Sequence, residues 1–148
     1  SAEYSNNNRL FVSMNMSKFN SLYKTKYDEK GLLLEYYNQQ LPNEPYFTVN
    51  GNIQYNFKDI LQKNSELNLY YNAGYVGAFY TTWQETENDQ TPNQFPQDLG
   101  ITYTFPNKKF IASFDVKNIT NVQVYDNFAV QKPGRGFYLK LNYTLNKF

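Results

Sequence analysis

Few side chains of this sequence could carry out catalysis or hold a metal ion. The 148 residues include no Cys and no His, which removes the reactive thiolate, the commonest general base and the commonest metal ligand. Glu85, Glu87 and Asp89 form an acidic cluster. Paired carboxylates could act as acid and base or hold Ca²⁺, but their spacing is not that of an EF-hand loop. We therefore interpret the cluster as solvated surface, and predict a protein that is not an enzyme and has no cofactor.

Aromatic side chains offer a second kind of chemistry, the binding of ring-bearing ligands. Tyr and Phe number 15 and 12, and there is one Trp. Several of these rings fall in or beside long polar stretches, where they could form a ligand surface or simply pack within their own loops. The predicted ligand-binding residues are Tyr80, Trp83, Tyr125 and Phe128.

Composition excludes some functions. Lys and Arg together number 14 against 13 Asp and Glu, for a net charge of +1, and no basic patch favours nucleic acid. No apolar run approaches the ~18–20 residues of a membrane helix.

The first residues, Ser1–Asn8, have neither the charged nor the apolar region of a signal peptide. We treat them as a leader and expect the folded segment to comprise residues 9–148.

The elements that must position any binding residues are strands, because apolar and polar side chains alternate along the chain. The clearest case is YFTVNGNIQYNF, where apolar side chains from Phe47 to Phe57 occupy every second position. Phe19 breaks this alternation, which indicates a bulge near Ser17 or a strand end. Leu32–Tyr37 could be a further strand or part of a loop hairpin. Six strands are predicted in an all-β, antiparallel up-and-down meander: Arg9–Ser17, Tyr46–Phe57, Glu66–Tyr80, Asp98–Phe105, Lys109–Lys117 and Arg135–Leu145.

Short and long connections alternate between these strands, so a meander would have its short turns at one end and its long loops at the other. Transmembrane β-barrels have this asymmetry. Their apolar face points to lipid and carries aromatic rings near both membrane surfaces, whereas their inner face is polar. Here the face opposite the apolar residues is rich in Asn, Gln, Thr and Tyr, which favours a membrane barrel over a soluble one. The predicted outer girdle is Phe47, Phe79 and Phe137, and the inner girdle is Phe57, Phe105 and Phe110.

Several motifs in order resemble the C-terminal part of a TonB-dependent outer-membrane receptor of the Bacteroidetes type. Asn118-Ile119-Thr120-Asn121 takes the place of an Asn-Leu-Thr-Asp-like motif, and Pro133-Gly134-Arg135 opens the last strand. The resemblance covers about residues 9–148 and implies strands 17 to 22 of a 22-stranded barrel in the bacterial outer membrane. Such receptors import scarce nutrients such as iron–siderophore complexes, haem, cobalamin or glycans. The plug and the TonB-contacting segment would lie outside this chain, which alone could not transport.

The resemblance also implies partners. These are the rest of the barrel and its plug, TonB through the missing part, outer-membrane lipid, and the assembly machinery that recognises a C-terminal aromatic strand. Phe148 is one residue out of phase with the alternating apolar side chains that precede it in the last strand. A final bulge or kink would bring Phe148 onto the same face. The residues implied as the assembly signal are Leu141, Tyr143, Leu145 and Phe148.

Two other functions remain open at this point: a soluble ligand-binding β-barrel and a carbohydrate-binding β-sandwich. An isolated segment of six strands would have unpaired edges and a bare apolar face. We expect such a segment to self-associate, or else to curl into a compact barrel with its apolar face inward.

Overall fold

A computed structural model describes residues 1–6 and 9–145 as one antiparallel sheet in which every strand pairs with its neighbours in sequence. The predicted all-β, up-and-down meander is therefore confirmed. A single turn of 3-10 helix, Glu87–Asp89, interrupts the connection before the fifth strand. The strands are β1 Ala2–Asn6, β2 Leu10–Lys18, β3 Phe47–Lys58, β4 Glu66–Val76, β5 Gln97–Thr104, β6 Phe110–Lys117 and β7 Gly136–Tyr143.

The structure differs from the prediction in the number of strands and in the end of one of them. The segment set apart as a leader contains β1, which pairs with β2 from Ala2 opposite Met14 to Asn6 opposite Leu10. The strand predicted over Glu66–Tyr80 ends at Val76, because the chain then bends to bury Phe79 among the loops.

The structure decides between the alternatives for the two segments whose pattern is ambiguous, the residues near Ser17 and Leu32–Tyr37. The register between β2 and β3 runs without interruption to Lys18 opposite Phe47, so Phe19 follows a strand end and no bulge is present there. Leu32–Tyr37 belongs to a loop hairpin, in which the amide of Asp28 donates to the carbonyl of Leu32 and that of Leu34 to the carbonyl of Lys26.

The short connections β3–β4 and β5–β6 both lie at one end of the sheet, as predicted. The β3–β4 turn places Asp59 and Asn64 at positive φ, and the Asp59 carboxylate accepts the amide of Asn64. Asn and Asp tolerate this backbone conformation and hydrogen-bond to nearby amides, so they close turns well. In the β5–β6 turn, the Asn107 side chain accepts the amide of Lys109 at 2.9 Å.

The strand registers confirm the predicted faces. One row across the sheet contains only apolar or aromatic side chains, and the adjacent row on the opposite face is polar or charged. The apolar row is Tyr4, Val12, Ile53, Tyr71, Leu99, Val116 and Phe137. Much of the polar row is Glu3, Ser13, Asn52, Asn72 and Asp98.

The apolar face has no covering layer within the described chain. Ile53, at the middle of β3, is 48% exposed and Leu139 of β7 is 73% exposed. Phe79 is the one apolar side chain that is buried in the part of the chain described. β1 and β7 each pair on one side only, so the sheet is open and has not curled into a compact barrel.

No helix within residues 1–6 and 9–145 is long and apolar enough to span a membrane.

Candidate functional site

Three long loops meet at the end of the sheet opposite the short turns. They are the first long loop (residues 19–46), the second (77–96) and the third (118–135). The amide of Asn43 in the first loop donates to the carbonyl of Tyr80 in the second at 2.8 Å. The Gln94 side chain, which is fully buried, accepts the amide of Tyr125 in the third loop at 2.7 Å. The loops therefore form one connected surface, which we call the loop face.

The predicted ligand residue Trp83 lies in an aromatic cluster that joins the first and second loops. Its ring centroid lies 5.4 Å from that of Tyr23 in an edge-on contact and 5.0 Å from that of Tyr36. Such pairs stabilise by roughly 0.5–1.5 kcal/mol each beyond the burial of area. The packing of Trp83 against these two rings therefore stabilises the contact between the first and second loops.

Tyr80 and Phe79 occupy the junction between the first two loops. Tyr80 forms an isolated bridge with Gln90. The carbonyl of Phe79 accepts the amide of Thr91 at 2.9 Å, and the amide of Phe79 donates to the Thr91 side-chain hydroxyl at 3.2 Å. The assignment of Phe79 to an outward-facing girdle is wrong, because its side chain is only 4% exposed and lies beyond the end of β4. Its role is to anchor the second loop.

The third loop carries the other two predicted ligand residues. Tyr125 pairs with Gln131 across a small hairpin, whose tip is held by the Asp126 carboxylate accepting the amides of Phe128 and Val130. Phe128 stands at this tip and is 81% exposed. The four predicted residues therefore share the loop face but do not converge on one point.

The motif Asn118-Ile119-Thr120-Asn121 closes the third loop. The Asn118 side chain is almost fully buried, donates to the carbonyl of Val122 at 2.8 Å and accepts its amide at 3.1 Å. The Asn121 side chain accepts the amide of Arg135 at 2.8 Å. Since Gly136 begins β7, the Asn121 side chain holds the residue directly before the last strand.

A charged network crosses the polar face below the loops. Lys117 of β6 forms an ion pair with Asp98 of β5 at 3.0 Å and contacts the Tyr70 hydroxyl of β4 at 3.4 Å. The Tyr70 hydroxyl donates to Asp115. These bonds link β4, β5 and β6 through side chains as well as through the backbone ladder.

Tyr70 reaches Asp115 by crossing Gly100 of the strand between them. A Cβ atom at Gly100 would lie 2.1 Å from Cε1 of Tyr70 and 2.3 Å from the Asp115 carboxylate. We expect Gly100→Ala to displace the ring and to lower the free energy of unfolding by about 1–2 kcal/mol, because a hydrogen bond to a charged group is lost. Denaturant unfolding in detergent micelles measures this.

Gly51 provides the matched control for this change. A Cβ there would meet no atom within 4 Å, so Gly51→Ala should alter stability by less than about 0.5 kcal/mol. Equal losses in the two variants would show that Gly100 is not required for the Tyr70–Asp115 contact.

Five of the six predicted girdle residues lie near the ends of the apolar face. Near the short turns, the ring centroids of Phe105 and Phe110 are 4.9 Å apart and Phe57 contacts Tyr55 at 4.5 Å. At the other end Phe47 begins β3 and Phe137 is the second residue of β7. Their position at membrane surfaces stays a prediction.

The predicted assembly signal is only partly described. Leu141 and Tyr143 lie on β7, opposite Ala112 and Phe110 on the apolar face, and Leu145 follows the strand. Phe148 lies outside the described residues, so its phase relative to the stripe is untested.

The acidic cluster does not form a metal site in the structure. Thr86 donates to the Asp89 carboxylate, and Glu85 and Glu87 are exposed. In residues 1–6 and 9–145, no three His, Cys, Asp or Glu side chains come together as a metal ion would require.

The sequence did not predict that Tyr23 and Tyr36 shape the loop face, and it indicated Asn118 only as part of a family motif. The first two lie in a stretch without strict alternation, so nothing local indicates that they contact Trp83. Asn118 could have been found, because Asn directly after a strand often closes a turn with its side chain.

The comparisons with known proteins do not place the chain in a family: no protein-family model matches it, and neither a curated protein nor a solved structure is significantly similar to it.

Proposed function

We propose that this chain is the C-terminal part of the barrel of a TonB-dependent receptor in the bacterial outer membrane. In this proposal β2 to β7 are strands 17 to 22 of a 22-stranded barrel, and β1 is the strand before them. The complete receptor imports a scarce nutrient, of which iron–siderophore complexes, haem, cobalamin and glycans are the candidate classes. The motifs that resemble the family, in their order along the chain, supply the family assignment.

The observation that carries the membrane part of the proposal is the uncovered apolar face. It spans seven strands, has aromatic rings near both ends and aliphatic side chains such as Ile53 and Leu139 between them, and leaves these exposed. Contiguous apolar surface of this extent needs to be covered. Lipid covers the apolar face of a sheet whose other face is polar, as in a membrane barrel.

The asymmetry of the connections gives the orientation. In outer-membrane barrels the short turns face the periplasm and the long loops face outward. The loop face would therefore be extracellular, and the polar face with its Tyr70–Lys117 network would line the barrel. The two open strand edges, β1 and β7, would pair with the remainder of the barrel, and in an isolated segment they would pair with other copies.

Cysteine labelling of cells that produce the protein tests the orientation, because this chain has no Cys. Phe128→Cys lies at an exposed loop tip, and Lys63→Cys lies in an exposed short turn. We expect a bulky, membrane-impermeant maleimide to modify the Phe128→Cys protein on intact cells. The Lys63→Cys protein should react only after the outer membrane is permeabilised.

Two results would contradict the proposal. One is equal labelling of both positions on intact cells, and the other is recovery of the protein in the soluble fraction. The soluble barrel and the carbohydrate-binding sandwich have less support, because the described chain forms one open sheet with neither a closed interior nor a second layer.

A further inference from the structure

A cavity of about 330 Å³ lies between the first and second long loops. Backbone and side-chain contacts fix its walls: the amide of Asn43 donates to the carbonyl of Tyr80 at 2.8 Å, and the Ser21 hydroxyl contacts the Glu44 carboxylate at 3.5 Å. The residues that line it include Leu41, Glu44, Tyr46, Phe79, Tyr80 and Glu85. We call it the loop cavity.

The charge of the loop cavity has one sign. Glu44 and Glu85, both exposed, line it from opposite loops. Within residues 1–6 and 9–145, no Lys or Arg is among the residues that line it. Lys18 lies outside this lining, and its ammonium group is 4.9 Å from the centre of the Tyr46 ring. Ring faces attract positive charge, and the Tyr46 ring already has the Lys18 ammonium group close to it.

The remaining lining residues suit an organic body. Leu41 and the buried Phe79 provide apolar surface, and Tyr46 and Tyr80 provide rings with polar ends. A metal ion would need more ligands than the two carboxylates present.

We propose that the loop cavity binds a small organic cation, in which an ammonium group is attached to an apolar body. The ammonium lies between Glu44 and Glu85 and over a tyrosine ring, and the apolar part contacts Leu41 and Phe79. This binding depends only on how the two loops pack and therefore holds or fails independently of the outer-membrane assignment.

The test is a titration of the chain in detergent micelles with phenethylamine and with its neutral analogue 2-phenylethanol. Trp83 is the only tryptophan of the chain and lies between Tyr80 and Glu85 in sequence, so its emission reports on the second loop. We expect saturable binding of the amine at a concentration about tenfold lower than that needed for the alcohol. Equal binding of the two compounds, or no saturation by the amine, would overturn the proposal.

Two variants distinguish binding in the loop cavity from a general attraction of the amine to negative surface charge. Glu44→Gln combined with Glu85→Gln should weaken amine binding about tenfold, whereas Glu87→Gln, an exposed carboxylate outside the cavity, should not change it. A similar loss in the Glu87→Gln control would contradict the site. A saturable response to CaCl₂ that the double variant abolishes would replace the organic cation by a metal ion and overturn the proposal.

Discussion

Ile53→Arg is expected to lower the free energy of unfolding in lipid by about 2–4 kcal/mol, the cost of a cation near the middle of a bilayer on the outer face of a barrel. Ile53 lies at the centre of β3 on the exposed apolar face. Reversible unfolding by denaturant in lipid vesicles measures the difference from the unsubstituted chain.

Two further arginine variants on the same strand serve as controls. Asn50→Arg points to the polar face and is exposed, so its cost should be small. Val49→Arg shares the face of Ile53 but lies four positions nearer the long loops, and should cost only about 0–1 kcal/mol because the penalty falls toward the membrane surface. A larger loss at Asn50 than at Ile53 would refute the face assignment. Equal losses at Val49 and Ile53 would argue for a protein core instead of lipid.

Asn118→Ala is the second change with a large expected effect, a loss of about 2–4 kcal/mol. The substitution removes both side-chain hydrogen bonds to Val122, each contributing roughly 1 kcal/mol. It also places Ala at φ 50°, a left-handed conformation that Asn tolerates better than Ala does. Denaturant unfolding of the chain in detergent micelles measures the loss.

Asn118→Gly distinguishes the two contributions, because glycine adopts positive φ without strain but forms no side-chain bonds. The free energy of unfolding of the Asn118→Gly variant should lie between those of the unsubstituted chain and of the Asn118→Ala variant. Asn127→Ala, at an exposed position of the same loop, should change stability by less than about 0.5 kcal/mol. If Asn118→Ala were as mild as Asn127→Ala, the side chain would not be needed to close the third loop.

The strands and their faces could be predicted because both follow from local geometry. Successive side chains of a strand point to opposite faces, so the run from Phe47 to Phe57 indicates a strand and its two faces without knowledge of any partner. Sequential pairing then follows from the short turns, since they leave neighbouring strands side by side. The structure confirms both the faces and the pairing order.

The parts that could not be predicted depend on contacts between residues distant in sequence. β1 is short and, in the part of the chain that the structure describes, pairs with β2 alone. The residues of Ala2–Asn6 therefore carry little pattern of their own. The alternation of β4 continues to Phe79, but the strand ends at Val76 because Thr91 and the loops offer Phe79 burial that the sheet does not. The contacts of Trp83 with Tyr23 and Tyr36 likewise join separate loops.

The alternation of short and long connections also has a consequence for the order in which the sheet assembles. Closing a chain segment costs more conformational entropy as the segment lengthens, and hairpins with short turns form within roughly 1–10 μs. β3 with β4, and β5 with β6, should therefore pair early as two-stranded units. The long loops delay the joining of these units, so the strands of one hairpin meet before the hairpins meet one another. The loop face, which needs all three long loops, is then the last part of the molecule to form.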